Sequence, residues 1–168
     1  MKLYFLRHAI AAERGDPKYK DDSLRPLTAP GRKKMQGAAF GMKNLNLSFD
    51  VILSSPYLRA RQTAEIVLQT YKLKNKKLHL TNHLLPPATI EDLLKEVRAH
   101  FPKAKNILLV GHEPHLTEMI SALLESERHL FIDFKKGGLC CLDLPQSSGK
   151  RSARYSSNEG APWAASRP

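Results

Sequence analysis

Cysteine is scarce in this chain of 168 residues, which has two, Cys140 and Cys141. Adjacent cysteines can bond to each other only with strain, and no third cysteine is available as a partner. The pair lies in an apolar run, and no second group of metal ligands lies near it in sequence. We therefore predict two reduced core thiols, with neither a disulfide nor a metal site.

Long hydrophobic runs are also missing from the sequence. No apolar stretch approaches the roughly 20 residues that a membrane helix needs. The segment from Met1 to Arg7 is too short, and is charged too early, for a secretory signal peptide. We therefore expect a cytoplasmic protein with no membrane partner, and the length fits one globular domain.

Acidic side chains are outnumbered, because 16 Asp and Glu face 27 Lys and Arg, which gives a net charge of +11. A basic balance suits an anionic substrate or partner, but it does not distinguish a phosphate ester, a phosphoprotein and a nucleic acid. The aromatic residues, 7% of the chain, are not interleaved with the lysines, and no known nucleic-acid motif is present. Nucleic acid is therefore not expected as a partner.

Short apolar strands alternate with amphipathic helices along residues 1–144. Thr28 and Thr89 are predicted N-caps of two helices, Ser55-Pro56 is predicted to cap and open another, and Pro114 opens the last. Strands are predicted at residues 2–7, 49–54, 78–80, 106–110 and 138–144. This alternation predicts an α/β fold, a three-layer α/β/α sandwich around a mostly parallel central sheet.

The last segment, residues 145–168, differs from the rest in composition. It is rich in Ser, Ala, Gly and Pro and has few large apolar side chains. Such a composition does not support a packed core. We therefore predict a domain over residues 1–144 and a mobile C-terminal tail over residues 145–168.

Polar segments follow the three clearest strands. They begin at Arg7-His8, at Ser54-Ser55 and at Gly111-His112. Ligands of open α/β sheets bind at the carboxyl ends of the strands, where such segments meet. Two arginines and two histidines that are distant in sequence are therefore expected to converge.

This set of side chains suits phosphoryl chemistry. Arg7 and Arg59 offer planar guanidinium groups that match phosphoryl oxygens bidentately, and the helix predicted after Ser55 adds free N–H groups. A neutral imidazole can attack phosphorus in line and form a covalent phosphohistidine. His8 is the candidate nucleophile, because Arg7 before it would hold the substrate. His112 is expected to donate to an oxygen whose charge grows in the transition state.

The same segments resemble the motifs of the histidine phosphatase superfamily, which includes the cofactor-dependent phosphoglycerate mutases. Arg7-His8-Ala9 is similar to the motif Arg-His-Gly, residues 55–64 match Ser-x-x-x-Arg-Ala-x-x-Thr-Ala, and Gly111-His112 matches Gly-His after an apolar strand. The stretch from Asp22 to Gly31, DSLRPLTAPG, is typical of the SixA-type protein phosphohistidine phosphatases. The resemblance covers about residues 1–144.

The resemblance implies a phosphoglycerate mutase-like fold and a phosphatase that carries the phosphoryl group on His8. It implies no metal and no organic cofactor, and its substrate would be protein phosphohistidine, for instance on a histidine-containing phosphotransfer domain. Arg25 is an additional candidate for substrate binding, and so is Ser55. The phosphoryl group itself would be bound by three side chains, Arg7, Arg59 and His112.

The general acid is the part of the site that the sequence leaves open. The mutase branch places a glutamate in the region that corresponds to residues 83–87, which here contain no acidic residue. An N–P bond to imidazole is weaker than an alkyl phosphate ester, so phosphohistidine is a consistent substrate. Asp22 and Glu113 are the candidate proton donors.

Three alternatives stay open from the sequence. The first is a phosphomonoesterase of the same superfamily that acts on small molecules. The second is an inactive phosphate-binding scaffold, because Ala9 replaces the motif glycine and the C-terminal segment has an unusual composition. The third is a basic nucleic-acid-binding module.

Overall fold

The computed structural model of the chain describes residues 1–74, 77–124 and 132–144, and the backbone alone of residues 152–156. Two short 3-10 turns, Asp22–Leu24 and Asn82–Leu84, lie in the connecting loops. The helices are α1 (Ala29–Asn44), α2 (Leu58–Thr70), α3 (Ile90–His100) and α4 (His115–Leu123). The strands are β1 (Lys2–Arg7), β2 (Val51–Ser54), β3 (Leu78–Leu80), β4 (Asn106–Gly111), β5 (Leu139–Asp143) and β6 (Ser152–Ser156).

The strands form one mixed sheet in the order β3-β2-β4-β1-β5-β6. Strands β3, β2, β4 and β1 pair in parallel. Strand β5 is antiparallel to β1, and β6 is antiparallel to β5. The predicted α/β fold with a mostly parallel central sheet is therefore confirmed.

Helices cover both faces of the sheet. Successive residues of β1 point to opposite faces, so they pack against different helices. Tyr4 and Leu6 pack with α1 and α2 in one buried apolar cluster. Leu3 and Phe5 belong to a second cluster, which contains the inner faces of α3 and α4. These four residues of β1 are almost fully buried. Burial on both faces explains why the sequence of this strand is a continuous apolar run.

The predicted helix caps are found at two of the three threonine and serine positions. Thr28 accepts a hydrogen bond from Gly31 N at 3.0 Å, and Thr89 forms a capping box with Asp92. The prediction for Ser55 was wrong, since α2 begins at Leu58 with Tyr57 at the N-cap position. The Ser55 hydroxyl contacts another element of the fold and is not available as the cap of this helix.

The loop between β1 and α1 is attached to the body of the domain by its backbone. Ala11 and Leu27 form an isolated antiparallel bridge, and Thr28 N donates to Ile10 O at 3.0 Å. A Cβ atom at Gly31 would collide with the carbonyl oxygen of Ile10. The first turn of α1 therefore approaches this loop at a distance that only glycine permits.

The predicted C-terminal tail lies mostly outside the described residues. Within it, the backbone of Ser152–Ser156 forms strand β6, which the sequence did not predict. Residues 145–151 and 157–168 are not described, so the prediction of a mobile segment there stays a prediction.

Candidate active site

The register of the parallel strands brings the polar segments to one edge of the sheet. Arg7 on β1 pairs with Gly111 on β4, and Ser54 on β2 pairs with Val110. His8 N then donates to Gly111 O at 3.0 Å, and Ser55 N donates to Val110 O at 3.0 Å. The residues that follow the three strands therefore lie side by side, as the sequence predicted.

Two buried imidazoles, His8 and His112, lie next to each other at this edge. Their ring centroids are 5.2 Å apart, and each residue is 7% exposed. His8 Nδ1 lies 2.8 Å from Ala9 O. A carbonyl oxygen can only accept, so Nδ1 of His8 carries the hydrogen, and its Nε2 keeps a lone pair.

Both imidazoles are held in the neutral form. Burial, together with the nearby His112, Arg59 and Arg7, lowers the pKa of His8 to about 3, although the hydrogen bond to the Ala9 backbone opposes this shift. Burial also lowers the pKa of His112 to about 3, and the positive charge of Arg59 contributes to that shift. Removal from water and like charge both disfavour an imidazolium ion.

Two guanidinium groups flank the histidines. Arg7 Nη1 donates to Phe134 O at 2.6 Å, and Arg59 Nη1 donates to Asp22 O at 2.7 Å. The Nε atoms of both arginines are buried and have no hydrogen-bond partner among the described residues. Each Nε–H is thus a buried donor that no described residue uses.

A cavity of about 700 Å³ opens over these four side chains. Its floor and walls are formed mainly by charged and polar residues. Among them are Arg7, His8, Asp22, Arg25, Arg59, His112 and Glu113. A cavity of this size accommodates a phosphoryl group together with part of the molecule that carries it.

Asp22, one of the two predicted proton donors, is bound by arginines. Its carboxylate lies 3.0 Å from Arg59 Nη2 and 2.8 Å from Arg25 Nε. Burial alone would raise the pKa of Asp22, but the hydrogen bond and charge of Arg25 and the charge of Arg59 outweigh it and lower the pKa. Asp22 is therefore ionised and is a poor proton donor.

Arg25 lines the cavity, as expected for an additional contact near the pocket. Besides Asp22, it contacts the carbonyl oxygen of Ala12 through Nη1 at 2.5 Å. Arg25 thereby holds Asp22 and the loop after β1 against the site. Whether it also touches substrate stays a prediction.

Glu113, the other predicted donor, is also in the cavity wall. Burial raises the pKa of Glu113, although the hydrogen bond from Thr117 opposes this shift. Thr117 donates to the carboxylate through both its hydroxyl, at 2.6 Å, and its backbone N–H, at 3.2 Å. The environment of Glu113 thus favours a protonated carboxyl more than that of Asp22 does.

Ser55 does not lie where a substrate-binding residue is expected. Its side chain is fully buried and is not part of the cavity wall. Its hydroxyl oxygen lies 2.7 Å from His112 Nε2 and accepts a hydrogen bond from Tyr57 N at 3.2 Å. The structure therefore places Ser55 behind His112 rather than against the cavity.

The sequence did not predict the roles of Tyr57 and Thr63. The ring centroids of Tyr57 and His112 are 5.1 Å apart. The guanidinium carbon of Arg59 lies over the Tyr57 ring, 5.0 Å from the centroid of that ring. The Thr63 hydroxyl accepts from Ala9 N at 3.0 Å and donates to Arg59 O at 2.7 Å. Both residues belong to the Ser55–Ala64 segment. Its match to the superfamily motif is the sequence signal that could have indicated them.

Ala9 occupies the position where the resembling motif has glycine. The non-glycine residues with positive φ in the described ranges are Asn46 and Lys72, so the φ of Ala9 is one that alanine adopts without strain. Ala9 is buried, and its backbone binds both Thr63 and the His8 ring. The replacement therefore leaves the loop geometry of His8 intact.

Among residues 1–74, 77–124 and 132–144, no three His, Cys, Asp or Glu side chains are grouped closely enough to hold a metal ion. Neither Cys140 nor Cys141 is in a disulfide, and burial raises the pKa of Cys140 to about 12. In the same part of the chain, no helix is both long and apolar enough to cross a bilayer.

The sequence matches the profile of a known family. The profile of the histidine phosphatase superfamily (branch 1) matches residues 3–82, a range that contains Arg7, His8 and Arg59 but not His112. An uncharacterized protein of Picosynechococcus sp. is 36% identical over 161 residues, which cover 95% of this chain and 93% of that protein. Phosphohistidine phosphatase SixA of Escherichia coli is 27% identical over 132 residues, 76% of each chain.

Solved structures share the fold over nearly the whole chain. A protein histidine phosphatase SixA complexed with tungstate has a TM-score of 0.79 at 24% identity, and the match covers 94% of this chain and 97% of that one. The alpha-ribazole phosphatase from Shigella flexneri has a TM-score of 0.70 at 20% identity, with 92% and 95% covered. Enzymes with different substrates therefore have this fold.

Proposed function

Because this chain belongs to the histidine phosphatase superfamily and is a phosphatase, we propose that it hydrolyses protein phosphohistidine through a covalent phosphoryl intermediate on His8. One observation carries the proposal. A neutral imidazole with a free Nε2 shares one cavity with Arg7, Arg59 and His112.

The burial of these donors supports phosphoryl binding. Arg7 Nε, Arg59 Nε and His112 Nδ1 are buried, and no described residue forms a hydrogen bond with any of them. A buried donor without an acceptor costs about 1–3 kcal/mol, and a bound anion that accepted these hydrogen bonds would recover that free energy. The cavity would therefore bind a group with several anionic oxygens better than a neutral one.

The first step is an in-line displacement at phosphorus. His8 Nε2 forms the new N–P bond while the bond from phosphorus to the imidazole nitrogen of the substrate breaks, and its electron pair stays on the leaving imidazole. Arg7 and Arg59 balance the charge on the phosphoryl oxygens. In the second step, water attacks phosphorus and gives a proton to the carboxylate of Glu113, the group that protonates the leaving imidazole in the first step. The His8 N–P bond breaks, which releases inorganic phosphate and restores both the neutral imidazole and the protonated Glu113.

Proton transfer to the leaving group is assigned to Glu113 rather than Asp22. Asp22 is ionised by its contacts with Arg25 and Arg59, whereas burial raises the pKa of Glu113. A leaving imidazole needs less help from a proton donor than a leaving alkoxide does. Replacement of Glu113 by Gln should therefore slow a phosphomonoester more than phosphohistidine.

Substrate kinetics test the proposal directly. We expect kcat/KM for a phosphohistidine-bearing phosphotransfer domain to exceed that for sugar phosphates and phosphoserine at least tenfold. A wild-type enzyme that turned over a small phosphomonoester faster than every phosphohistidine substrate would contradict it. That result would favour the second candidate, a small-molecule phosphomonoesterase, to which the alpha-ribazole phosphatase of the same fold lends support.

The cationic groups of the site also support a mechanism without a metal ion. Arg7 and Arg59 provide the positive charge, and the neutral His112 a hydrogen-bond donor, that a metal would otherwise replace at the phosphoryl oxygens. Dialysis against EDTA should leave kcat and KM unchanged. A loss of activity that returned with added Mg²⁺ or Zn²⁺ would overturn this part of the proposal.

A further inference from the structure

We propose that Ser55 is a positioning residue that fixes the tautomer of His112, so that Nδ1–H of His112 is the donor presented to the phosphoryl group. This assignment rests on the proposed phosphoryl chemistry, and it deepens that chemistry by naming the donor atom and the residue that controls it. The observation behind it is the contact of 2.7 Å between Ser55 Oγ and His112 Nε2.

The hydrogens around Ser55 can be counted. Its side chain is fully buried, and its oxygen already accepts the N–H of Tyr57 at 3.2 Å. The hydroxyl hydrogen needs an acceptor, and His112 Nε2 is the one within hydrogen-bonding distance among the described residues. If His112 donated instead, the buried hydroxyl hydrogen would have no partner, which is unfavourable.

The hydrogen bond from Ser55 also determines which nitrogen of the His112 ring carries the hydrogen. With Nε2 of His112 accepting, its hydrogen must lie on Nδ1. That atom is buried and has no hydrogen-bond partner among the described residues, while His112 forms part of the cavity wall beside His8. A donor fixed in this way is oriented before the reaction, and oriented donors stabilise charge on the transferring group.

The opposite tautomer would remove this stabilisation. It would place a lone pair of Nδ1 against anionic oxygens, where repulsion replaces a hydrogen bond. The neutral form of His112 is required for either tautomer, and burial maintains it. Ser55 thus selects between two neutral forms of one ring without contacting the substrate.

Spectroscopy on the unreacted protein tests the tautomer. The ¹⁵N resonances of His112, identified by their loss in His112→Asn, should show a protonated Nδ1 and an unprotonated Nε2 in the wild type, with and without inorganic phosphate. In Ser55→Ala the two forms should mix or invert. A protonated Nε2 in the wild type, or an unchanged tautomer in Ser55→Ala, would overturn the assignment.

A neighbouring serine provides the matched control. Ser54 is also fully buried, but its hydroxyl donates to Ser55 O at 2.9 Å and not to a histidine. Ser54→Ala should leave the His112 resonances as they are in the wild type. If Ser54→Ala altered the tautomer as strongly as Ser55→Ala, the effect would come from packing and the proposal would fail.

Kinetics separate a positioning role from substrate contact. Ser55→Ala should lower kcat for a phosphohistidine peptide about 10-fold to 100-fold, with KM changed less than about threefold, because the lost stabilisation belongs to the transition state. In a His112→Ala background the same substitution should cost less than about twofold. Equal losses in both backgrounds would show that Ser55 does not act through His112.

Failure of the proposed function would give results different from those that refute the Ser55 assignment. A wild-type protein without phosphohistidine turnover would refute that function, yet the ¹⁵N measurement with inorganic phosphate needs no turnover and still decides the role of Ser55. Conversely, an active enzyme with an unaltered tautomer in Ser55→Ala would refute this inference alone.

Discussion

At the scale of single residues, the surroundings of His8, the proposed nucleophile, act on its ring in two ways. The Ala9 carbonyl fixes the hydrogen on Nδ1, while burial and neighbouring positive groups keep the ring from gaining a second proton. The ring is therefore both oriented and uncharged. A nucleophilic imidazole needs both properties, since an imidazolium ion has no lone pair to offer.

The depressed pKa values of His8 and His112 predict a pH-dependent stability. In the unfolded chain a histidine titrates near 6.5, whereas in the folded protein these two titrate at about 3. The unfolded state binds more protons between these values, so the free energy of unfolding should fall as the pH is lowered from about 6.5 towards 3. Each histidine contributes at most about 1.4 kcal/mol per pH unit in that window.

Chemical denaturation at a series of pH values measures this slope. His8→Asn removes one of the two groups, so the variant should lose stability less steeply than the wild type below pH 6.5. The comparison cancels the contributions of carboxylates, which titrate in both proteins. Identical slopes for the two proteins would mean that His8 is not held neutral by the fold.

Arg59 is expected to act through the shape of its guanidinium group as well as through its charge. It is buried, and its two terminal nitrogens contact the backbone and the carboxylate of Asp22. Lysine keeps the charge but loses this planar set of donors. Arg59→Lys should therefore lower kcat/KM about 100-fold, which corresponds to about 3 kcal/mol.

The control for this substitution lies two residues further along the same helix. Arg61 is half-exposed and pairs with Glu65 at 3.4 Å, away from the cavity wall. Arg61→Lys should leave kcat/KM within about twofold of the wild type. If both substitutions had equal effects, the guanidinium geometry at position 59 would be irrelevant to the reaction.

At the scale of elements, the position of α1 depends on a glycine in its first turn. A Cβ at Gly31 would collide with the carbonyl oxygen of Ile10, which also accepts the Thr28 N–H. Gly31→Ala should therefore displace the loop after β1 and lower the free energy of unfolding by more than about 1 kcal/mol. Thermal or denaturant unfolding measures the loss.

Gly37 on the same helix is the matched control. A Cβ there meets nothing within 4 Å, so only helix propensity changes. Gly37→Ala should stabilise the protein by up to about 1 kcal/mol. A stabilising Gly31→Ala, similar to Gly37→Ala, would show that the close approach to Ile10 does not constrain the helix.

The elements differ in how far the sequence determines them. The caps at Thr28 and Thr89 were predictable because a cap is a contact between residues three apart. Ser55 carries the same local signal, yet its hydroxyl contacts His112, 57 positions away. A local pattern cannot distinguish the two cases. The start of α2 was therefore predicted wrongly, and the contact between Ser55 and His112 was not predicted.

The contacts of the candidate site differ in the same way, because the sequence predicts some of them and not others. Arg7, His8, Arg59 and His112 could be predicted to meet because parallel strands end at one edge of the sheet. The ion pair between Asp22 and Arg59 joins a loop to a helix across 37 positions, and no periodicity indicates it. The pKa of Asp22 is lowered whereas that of Glu113 is raised, and this difference depends on contacts that the sequence does not indicate.

At the scale of the whole molecule, the net charge of +11 predicts how a partner protein is recruited. Association with an acidic phosphorylated domain should be steered by this charge and weakened by salt. Between about 50 and 500 mM NaCl, kcat/KM for such a domain should fall about tenfold or more. For a short phosphohistidine peptide without acidic residues the decrease should be smaller.

This comparison of two substrates isolates recruitment from catalysis. Both present the same phosphoryl group to His8, so salt effects on the site itself are common to both. If the two kcat/KM values fell in parallel, the basic surface outside the cavity would make no contribution to binding.

The central claim, that His8 carries the phosphoryl group during turnover, is tested most directly by trapping that group. A phosphotransfer domain labelled with ³²P on histidine is mixed with the enzyme, quenched in alkali within the first turnover, and digested for peptide mapping. We expect acid-labile, alkali-stable label on the peptide that contains His8, and none in His8→Asn. Label on His112 instead, or rapid hydrolysis by His8→Asn, would contradict it.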